Sequence, residues 1–204
     1  DIKTDQRLDQ ARTWLQHLDI DPQTDLHSVA GDASFRRYFR LQANGKSQIL
    51  MDSPPPGEDV KPFIDIAQRL RTAGLHAPEI FSEDTHNGYL LLEDFGDGLY
   101  RDLLNDRNAQ TYFPGLFEVL SNMALTVDTS GLHGFDAQKL RRDMNLFPNW
   151  YLGYHRNAMP RRQIDAIWIE FCTNIIDSAL EQPQYSVTPR SHSCNLLKTS
   201  GNRI

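Results

Sequence analysis

Three short stretches of this 204-residue chain hold residue types that can do chemistry. Gly31-Asp32-Ala33-Ser34 lies between two runs that alternate as strands. A glycine there tolerates positive φ, and backbone N–H groups beside a serine hydroxyl can face a phosphate; a plain hairpin is the alternative. Phe35-Arg36-Arg37-Tyr38-Phe39-Arg40 follows, and strand alternation sends Arg37 to the side opposite Arg36 and Tyr38. At least one guanidinium should then face the underside of the sheet, where a cleft would lie, unless the pair is simply solvated. The third stretch is Tyr89-Leu90-Leu91-Leu92-Glu93-Asp94-Phe95-Gly96-Asp97-Gly98, an apolar strand opened by Asn87-Gly88 and released by two glycines. It reads as a hinge between a β-rich half and an α-rich half, where exposed backbone N–H and C=O groups can read the edge of a planar ring. A buried strand with a polar turn is the other reading.

The elements that must position these residues follow from periodicity. Leu8, Ala11, Leu15 and Leu18 recur at helical spacing and predict a helix over residues 5–19, stopped by Asp21-Pro22. Leu26 to Ala30, Phe35 to Gln42 and Ser47 to Met51 predict three antiparallel strands, the last two joined by Asn44-Gly45. After the rigid Pro54-Pro55-Pro56-Gly57 loop, Phe63, Ile66, Ala67 and Leu70 mark one face of a helix ending at Gly74. Ala77 to Phe81 and Tyr89 to Glu93 supply two more strands. Past the hinge come a short helix over Leu99 to Leu104, a longer one carrying Leu116, Val119, Leu120, Met123, Ala124 and Val127 on one side, and one capped by Asp136 that reaches Asn145. Phe147 to Tyr151 is an aromatic segment broken by Pro148. The longest apolar stripe, Ile164, Ile167, Trp168, Phe171, Ile175, Ala179 and Leu180, predicts the core helix of the second half. The expected architecture is α+β and bilobal, with an N-terminal lobe over residues 1–95 and a helical lobe over 96–204.

Composition narrows the function classes. A net charge of -6 argues against general nucleic-acid binding, which depends on clustered Lys and Arg. No apolar run is long enough to cross a membrane, and the start lacks the apolar core of a signal peptide, so a cytoplasmic location is expected, with no membrane partner. Cys172 and Cys194 show no ligand spacing and are expected to be reduced.

The order of elements and five segments together resemble a known family. The segments are Gly31 to Arg40, Met51-Asp52-Ser53-Pro54-Pro55, Leu91 to Gly96, Trp150-Tyr151-Leu152-Gly153 and His192-Ser193-Cys194-Asn195-Leu196-Leu197. They are similar to the protein-kinase-like fold of the aminoglycoside phosphotransferases, and within it to bacterial cell-wall sugar kinases acting on N-acetylmuramate and N-acetylglucosamine. The resemblance implies a five-stranded antiparallel N-lobe, a helical C-lobe of which part is missing, and transfer of phosphate from ATP with Mg2+ to a hydroxyl of a small N-acetylated amino sugar. It implies Gly31, Asp32, Ala33, Ser34 and Arg37 near the phosphates, and Glu93, Asp94 and Phe95 near the adenine. His192 and Asn195 fall in the catalytic loop, Asn195 on the metal, and Trp150 and Tyr151 against the sugar face; a core role for Trp150 and a turn role for Asn195 are the alternatives.

The sequence departs from the family pattern in three ways. Where the family shows His-Arg-Asp-x-His-Ser-x-Asn, this chain has Thr188, Pro189 and Arg190 in the first three places, so the catalytic base is absent. The later metal-binding Asp would fall beyond Ile204. The third-strand lysine that holds ATP phosphates is missing from Ser47 to Met51, Lys46 lying in the preceding turn, and Arg36, Arg37 or Arg40 would substitute. The chain as written is therefore expected to hold no metal and transfer no phosphate, and an inactive nucleotide-binding relative or an interaction scaffold is the alternative function. Oligomeric state is not legible.

Overall fold

The computed structural model describes residues 5–29, 35–57, 59–155, 161–183 and 197. They fall into two compact units, one ending at Asp128 and including Leu197, the other beginning at Thr129.

The first unit is built on a five-stranded antiparallel sheet of order β1-β2-β3-β5-β4. Its strands are β1 (His27–Val29), β2 (Arg37–Ala43), β3 (Lys46–Asp52), β4 (Ile80–Asp84) and β5 (Tyr89–Glu93). Asn44 and Gly45 join β2 to β3 with φ of 53° and 74°, the pair of positive values that a tight two-residue hairpin requires. The turn from β4 to β5 needs glycine more strictly. Gly88 has φ +77°, and a Cβ there would stand 2.0 Å from the Ser53 carbonyl oxygen, whose own N–H donates to Gly88 O at 2.8 Å. Lys46 opens β3 and is exposed, so it belongs to the strand and not to the turn expected for it.

Alternation along the strands makes two apolar faces. Phe39, Leu41, Ala43, Leu50, Tyr89 and Leu91 pack against Ala11, Leu15 and Ile20 of the leading helix region, α1 (Gln6–Gln16). Met51, Leu90 and Leu92 pack on the other face against Val60 and Ile64 of α2 (Lys61–Thr72) and the residue that precedes it. The leading helix ends earlier than its apolar periodicity suggests. Asp19 adopts φ 58° and the Ile20 N–H returns to Leu15 O at 3.1 Å, which closes the last turn before Pro22 is reached. The face of α2 is also shifted from expectation: Ile64 and Ala67 are buried, whereas Ile66 is exposed.

Past β5 the chain forms α3 (Tyr100–Leu103) and α4 (Ala109–Thr126), with Tyr100, Met123 and Val127 buried. In the second unit, Asp136 caps α5 (Ala137–Met144) by accepting the Lys139 N–H at 2.7 Å, as its position predicts. The aromatic stretch Phe147–His155 is not broken at Pro148 but runs as a π-helical segment with the proline in its first turn, where a missing N–H costs little.

The final helix, α6 (Arg161–Leu180), corrects another expectation. Among its described side chains Cys172 and Ile176 are buried and Trp168 is half-buried, whereas Ile167, Phe171 and Ile175 are 72%, 49% and 44% exposed. The packed strip follows the helix partner. Trp168 Nε1 donates to Asn145 Oδ1 and Arg141 Nη2 to Thr173 Oγ1, both at 2.9 Å, so α5 selects the side of α6 that turns inward. Among the described residues no helix is long and apolar enough to cross a membrane.

Candidate functional site

The last pair of the β3–β5 ladder is Gln48 with Glu93, after which Asp94 and Phe95 carry the chain out of the sheet. Backbone groups released from a ladder need other partners, and this is the segment expected to read a ring edge. Three side-chain systems fix it. Arg40 on β2 grips Asp94 through Nε at 2.7 Å and Nη2 at 3.1 Å, and reaches Asp97 through Nη1 at 3.0 Å. Asp94 also accepts from the Ser47 hydroxyl and from the Gly96 N–H. Burial pushes the Asp94 carboxyl upward, but the hydrogen bonds from Arg40, Ser47 and Gly96 outweigh it and hold it below the usual carboxylate range. The same contacts, Asp97 first, raise the Arg40 guanidinium.

On the other side of the hinge, Glu93 turns toward the connection between α2 and β4. One carboxylate oxygen accepts the Glu79 N–H at 3.1 Å and the other meets His76 Nε2 at 3.4 Å. The His76 ring lies 4.6 Å from that of Phe95. Thus the side chains of Glu93 and Asp94 are both engaged within the chain, and the Glu93 N–H is as well, donating to Glu79 O at 2.9 Å.

Arg37 and Arg40 lie three apart on β2 and therefore point to opposite faces. Arg37 is drawn to the α1 face, where its guanidinium pairs with Asp5, the N-cap of α1, and with Asp52. Asp52 is fully buried and also receives Arg7. The Arg7 guanidinium lies 4.5 Å from the Tyr89 ring centroid, and the Tyr89 hydroxyl donates to Arg7 O at 2.9 Å. Arg36 takes the α2 face, its guanidinium 5.8 Å from the Phe63 ring. The expectation that one member of the pair faces each side of the sheet is met by Arg36 and Arg37.

Beside Arg40, a cleft of about 420 Å3 opens between the segment before β1 and the strand β2, with Asp21, Asp25, His27, Arg40, Leu41 and Gln42 in its lining. Leu197 forms an antiparallel bridge with Leu99, so the residue two places after Asn195 lies beside the segment that leaves the hinge. Gly31, Asp32, Ala33, Ser34, Arg190, His192 and Asn195 lie outside the described residues. In the second unit Trp150 and Tyr151 are 65% and 46% exposed, and Tyr151 stacks on Phe147 at 5.3 Å. Among the described residues there is no cluster of His, Cys, Asp and Glu that would hold a metal ion.

Sequence reasoning found the strand that ends at Glu93 but missed what holds the segment that follows it. Arg40 was one of three arginines offered for phosphates, and its pairing with Asp94 depends on the order of strands across the sheet. His76 carried no signal at all, since its approach to Glu93 and Phe95 follows from the pairing of β4 with β5.

The profile of the phosphotransferase enzyme family matches residues 25–184. The N-acetylmuramate/N-acetylglucosamine kinase of Pseudomonas aeruginosa is 40% identical over 182 residues, covering 89% of this chain and 54% of the relative. The protein of the same name from Pseudomonas putida is 35% identical over 208 residues, covering 97% of this chain and 61% of the relative. The chain thus spans little more than half the length of these curated relatives. Among solved structures, aminoglycoside phosphotransferase APH(4)-Ia superposes with a TM-score of 0.59 at 17% identity, covering 96% of this chain and 68% of that one. A thermostable mutant of it, in a ternary complex with AMP-PNP and hygromycin B, gives 0.58 at 18% identity, covering 94% and 68%. At such identities the likeness is one of fold, and that fold is the α+β, kinase-like one with its five-stranded antiparallel sheet. With the profile matched over most of its length, the chain belongs to the phosphotransferase enzyme family.

Proposed function

We propose that the protein carrying this chain transfers the terminal phosphate of ATP to a hydroxyl of an N-acetylated amino sugar of the N-acetylmuramate or N-acetylglucosamine kind. The observation that carries the reading is the 40% identity over 182 residues to a kinase named for those two sugars. The hinge supports it chemically. With Glu93 and Asp94 side chains bound to His76, Glu79 and Arg40, the backbone around Phe95 is kept rigid, as an adenine edge needs for recognition by N–H and C=O groups.

In this reading residues 1–95 form the nucleotide lobe and 96–204 the lobe of the acceptor and the catalytic loop. Gly31, Asp32, Ala33 and Ser34 cover the phosphates, and Glu93, Asp94 and Phe95 flank the base. Arg37, paired to Asp5 and Asp52, supports the strand that leads from the phosphate segment. The Asn195 amide oxygen would hold Mg2+, which when bound neutralises charge on the transferring phosphoryl group. His192 stands in the same loop. Trp150 and Tyr151, both exposed in the second unit, would lie against the sugar. The relatives, named as kinases, lend no support to an inactive relative or a scaffold.

The test is phosphotransfer by the full-length protein with Mg2+ and ATP, offered N-acetylmuramate, N-acetylglucosamine and a kanamycin-like aminoglycoside in parallel. Turnover of the N-acetylated sugars is expected. Turnover of the aminoglycoside alone would overturn the acceptor assignment, and no turnover of any acceptor would overturn the activity.

A further inference from the structure

His76 sits in the connection between α2 and β4, yet its contacts are with the hinge. Its ring is tilted by 51° to that of Phe95 at a centroid distance of 4.6 Å, and Nε2 lies 3.4 Å from Glu93 Oε1. A carboxylate only accepts, so a proton sits on Nε2, and Nδ1 is the second polar atom of the ring that needs a partner. That Nδ1 is buried without a hydrogen-bond partner among the described residues. A leucine or phenylalanine would fill the same space without such a cost, so packing alone does not explain a histidine here.

The rest of the connection is bound to Glu93 as well. Glu79 N–H donates to its carboxylate at 3.1 Å, and the Glu93 N–H donates to Glu79 O at 2.9 Å. Arg71 donates to Ala77 O at 2.9 Å and stands 3.8 Å from Glu93 Oε2. His76 is the group in this set that touches both Glu93 and Phe95, the residues on either side of Asp94.

We propose that His76 is a positioning residue that sets base discrimination at the hinge, by fixing the angle at which the backbone of residues 93–95 meets the nucleotide. The proposal rests on the reading of this segment as the ATP hinge. Adenine and guanine present opposite donor and acceptor patterns on the edge that a hinge backbone reads. Hydrogen bonds weaken steeply with misalignment, so the pattern discriminates only where the backbone is held to a fraction of an ångström. An imidazole that shelves Phe95 and ties Glu93 supplies that restraint from outside the ligand site.

The experiment measures ATP and GTP affinity by calorimetry, and kcat at saturating ATP, on the full-length wild type, His76→Phe and His76→Gln. The first variant keeps a ring against Phe95 and loses the donor, and the second keeps a donor and loses the ring. Both are expected to weaken ATP binding about tenfold and to bring the ATP-to-GTP affinity ratio toward one, with kcat at saturation within about twofold of wild type. A purely structural role would lower thermal stability without moving that ratio. An unchanged ratio in both variants, equal wild-type affinity for ATP and GTP, or a fall in kcat with both affinities intact would overturn the role of His76. Absence of any nucleotide affinity in the wild type would instead overturn the ATP reading, and this proposal with it.

Discussion

Arg37 and Arg40 stand on one strand, each gripping an aspartate, and the two ends of the sheet that they serve differ in kind. Arg37 meets Asp52, which is fully buried, and shares it with Arg7 from α1. Arg40 meets Asp94, whose side chain is 6% exposed, and extends to Asp97, which is 79% exposed. The first cluster joins a helix to a sheet through a carboxylate that no solvent reaches. The second ties a segment that has just left the sheet, at its boundary with solvent. Similar ion pairs therefore do different work: one holds the leading helix in place, the other fixes the course of the chain as it leaves β5.

The comparison is broken most directly at Asp52. Its removal leaves two half-buried guanidiniums facing a cavity, and loss of one partner of a buried pair costs about 3 kcal/mol where the orphaned partners can still hydrate. Asp52→Ala in the full-length protein should shift the urea midpoint accordingly, and ATP affinity of the fraction that remains folded should change little. If Asp52→Ala were to weaken ATP binding more than any change at Arg40, the division between a holding cluster and a hinge cluster would fail.

Arg40→Met tests the other end with a smaller effect on stability. The variant keeps the side-chain bulk but leaves Asp94 with Ser47 and Gly96 as partners, a loss of about 1–2 kcal/mol for charged hydrogen bonds at a part-exposed site. Its signature should be weaker ATP binding at nearly constant kcat, because Asp94 then no longer has a fixed place beside Phe95. A variant with normal ATP affinity and the same stability loss would make Arg40 a second holding residue.

The two ends also mark how far the sequence could be read. The turns were legible because Asn44-Gly45 and Asn87-Gly88 are strong local signals: Asn44 and Gly45 both take positive φ in a tight hairpin, and Gly88 does so at the end of a longer turn from Asp84. The Asp136 cap was legible for the same reason, a short-range rule with one outcome. Helix faces were less so. On α6 two apolar stripes run side by side, Ile167-Phe171-Ile175 and Trp168-Cys172-Ile176, and only the packing of α5 decides which is buried. On α2 the pair Ile64 and Ile66 posed the same ambiguity. Of the candidate site, the apolar strand ending at Glu93 and the positive φ of Gly96 were readable, but the grip of Arg40 on Asp94 and of His76 on Glu93 joins residues far apart in the chain, which periodicity cannot pair.

The smallest effect separates the ends by their response to acid. Asp94 and Asp5 both sit below the usual carboxylate range. Asp5 is lowered first by the Arg37 hydrogen bond; at Asp94 burial acts upward and is outweighed by Arg40, Ser47 and Gly96. A carboxyl whose folded value lies below its unfolded one contributes stability that is fully present above the unfolded value, about 3.9, and that is lost as pH falls through the folded one. Urea midpoints should therefore be level at neutral pH and fall below about pH 4, with a shallower fall in Asp94→Asn and in Asp5→Asn, neither of which titrates there. Salt then distinguishes them. Asp5 is 37% exposed, so its share should shrink at high ionic strength, whereas that of the nearly buried Asp94 should persist. An acid limb in Asp94→Asn as steep as that of the wild type would show that Arg40 gains nothing from the charge of Asp94, and the hinge cluster would then be held by Ser47 and the Gly96 N–H alone.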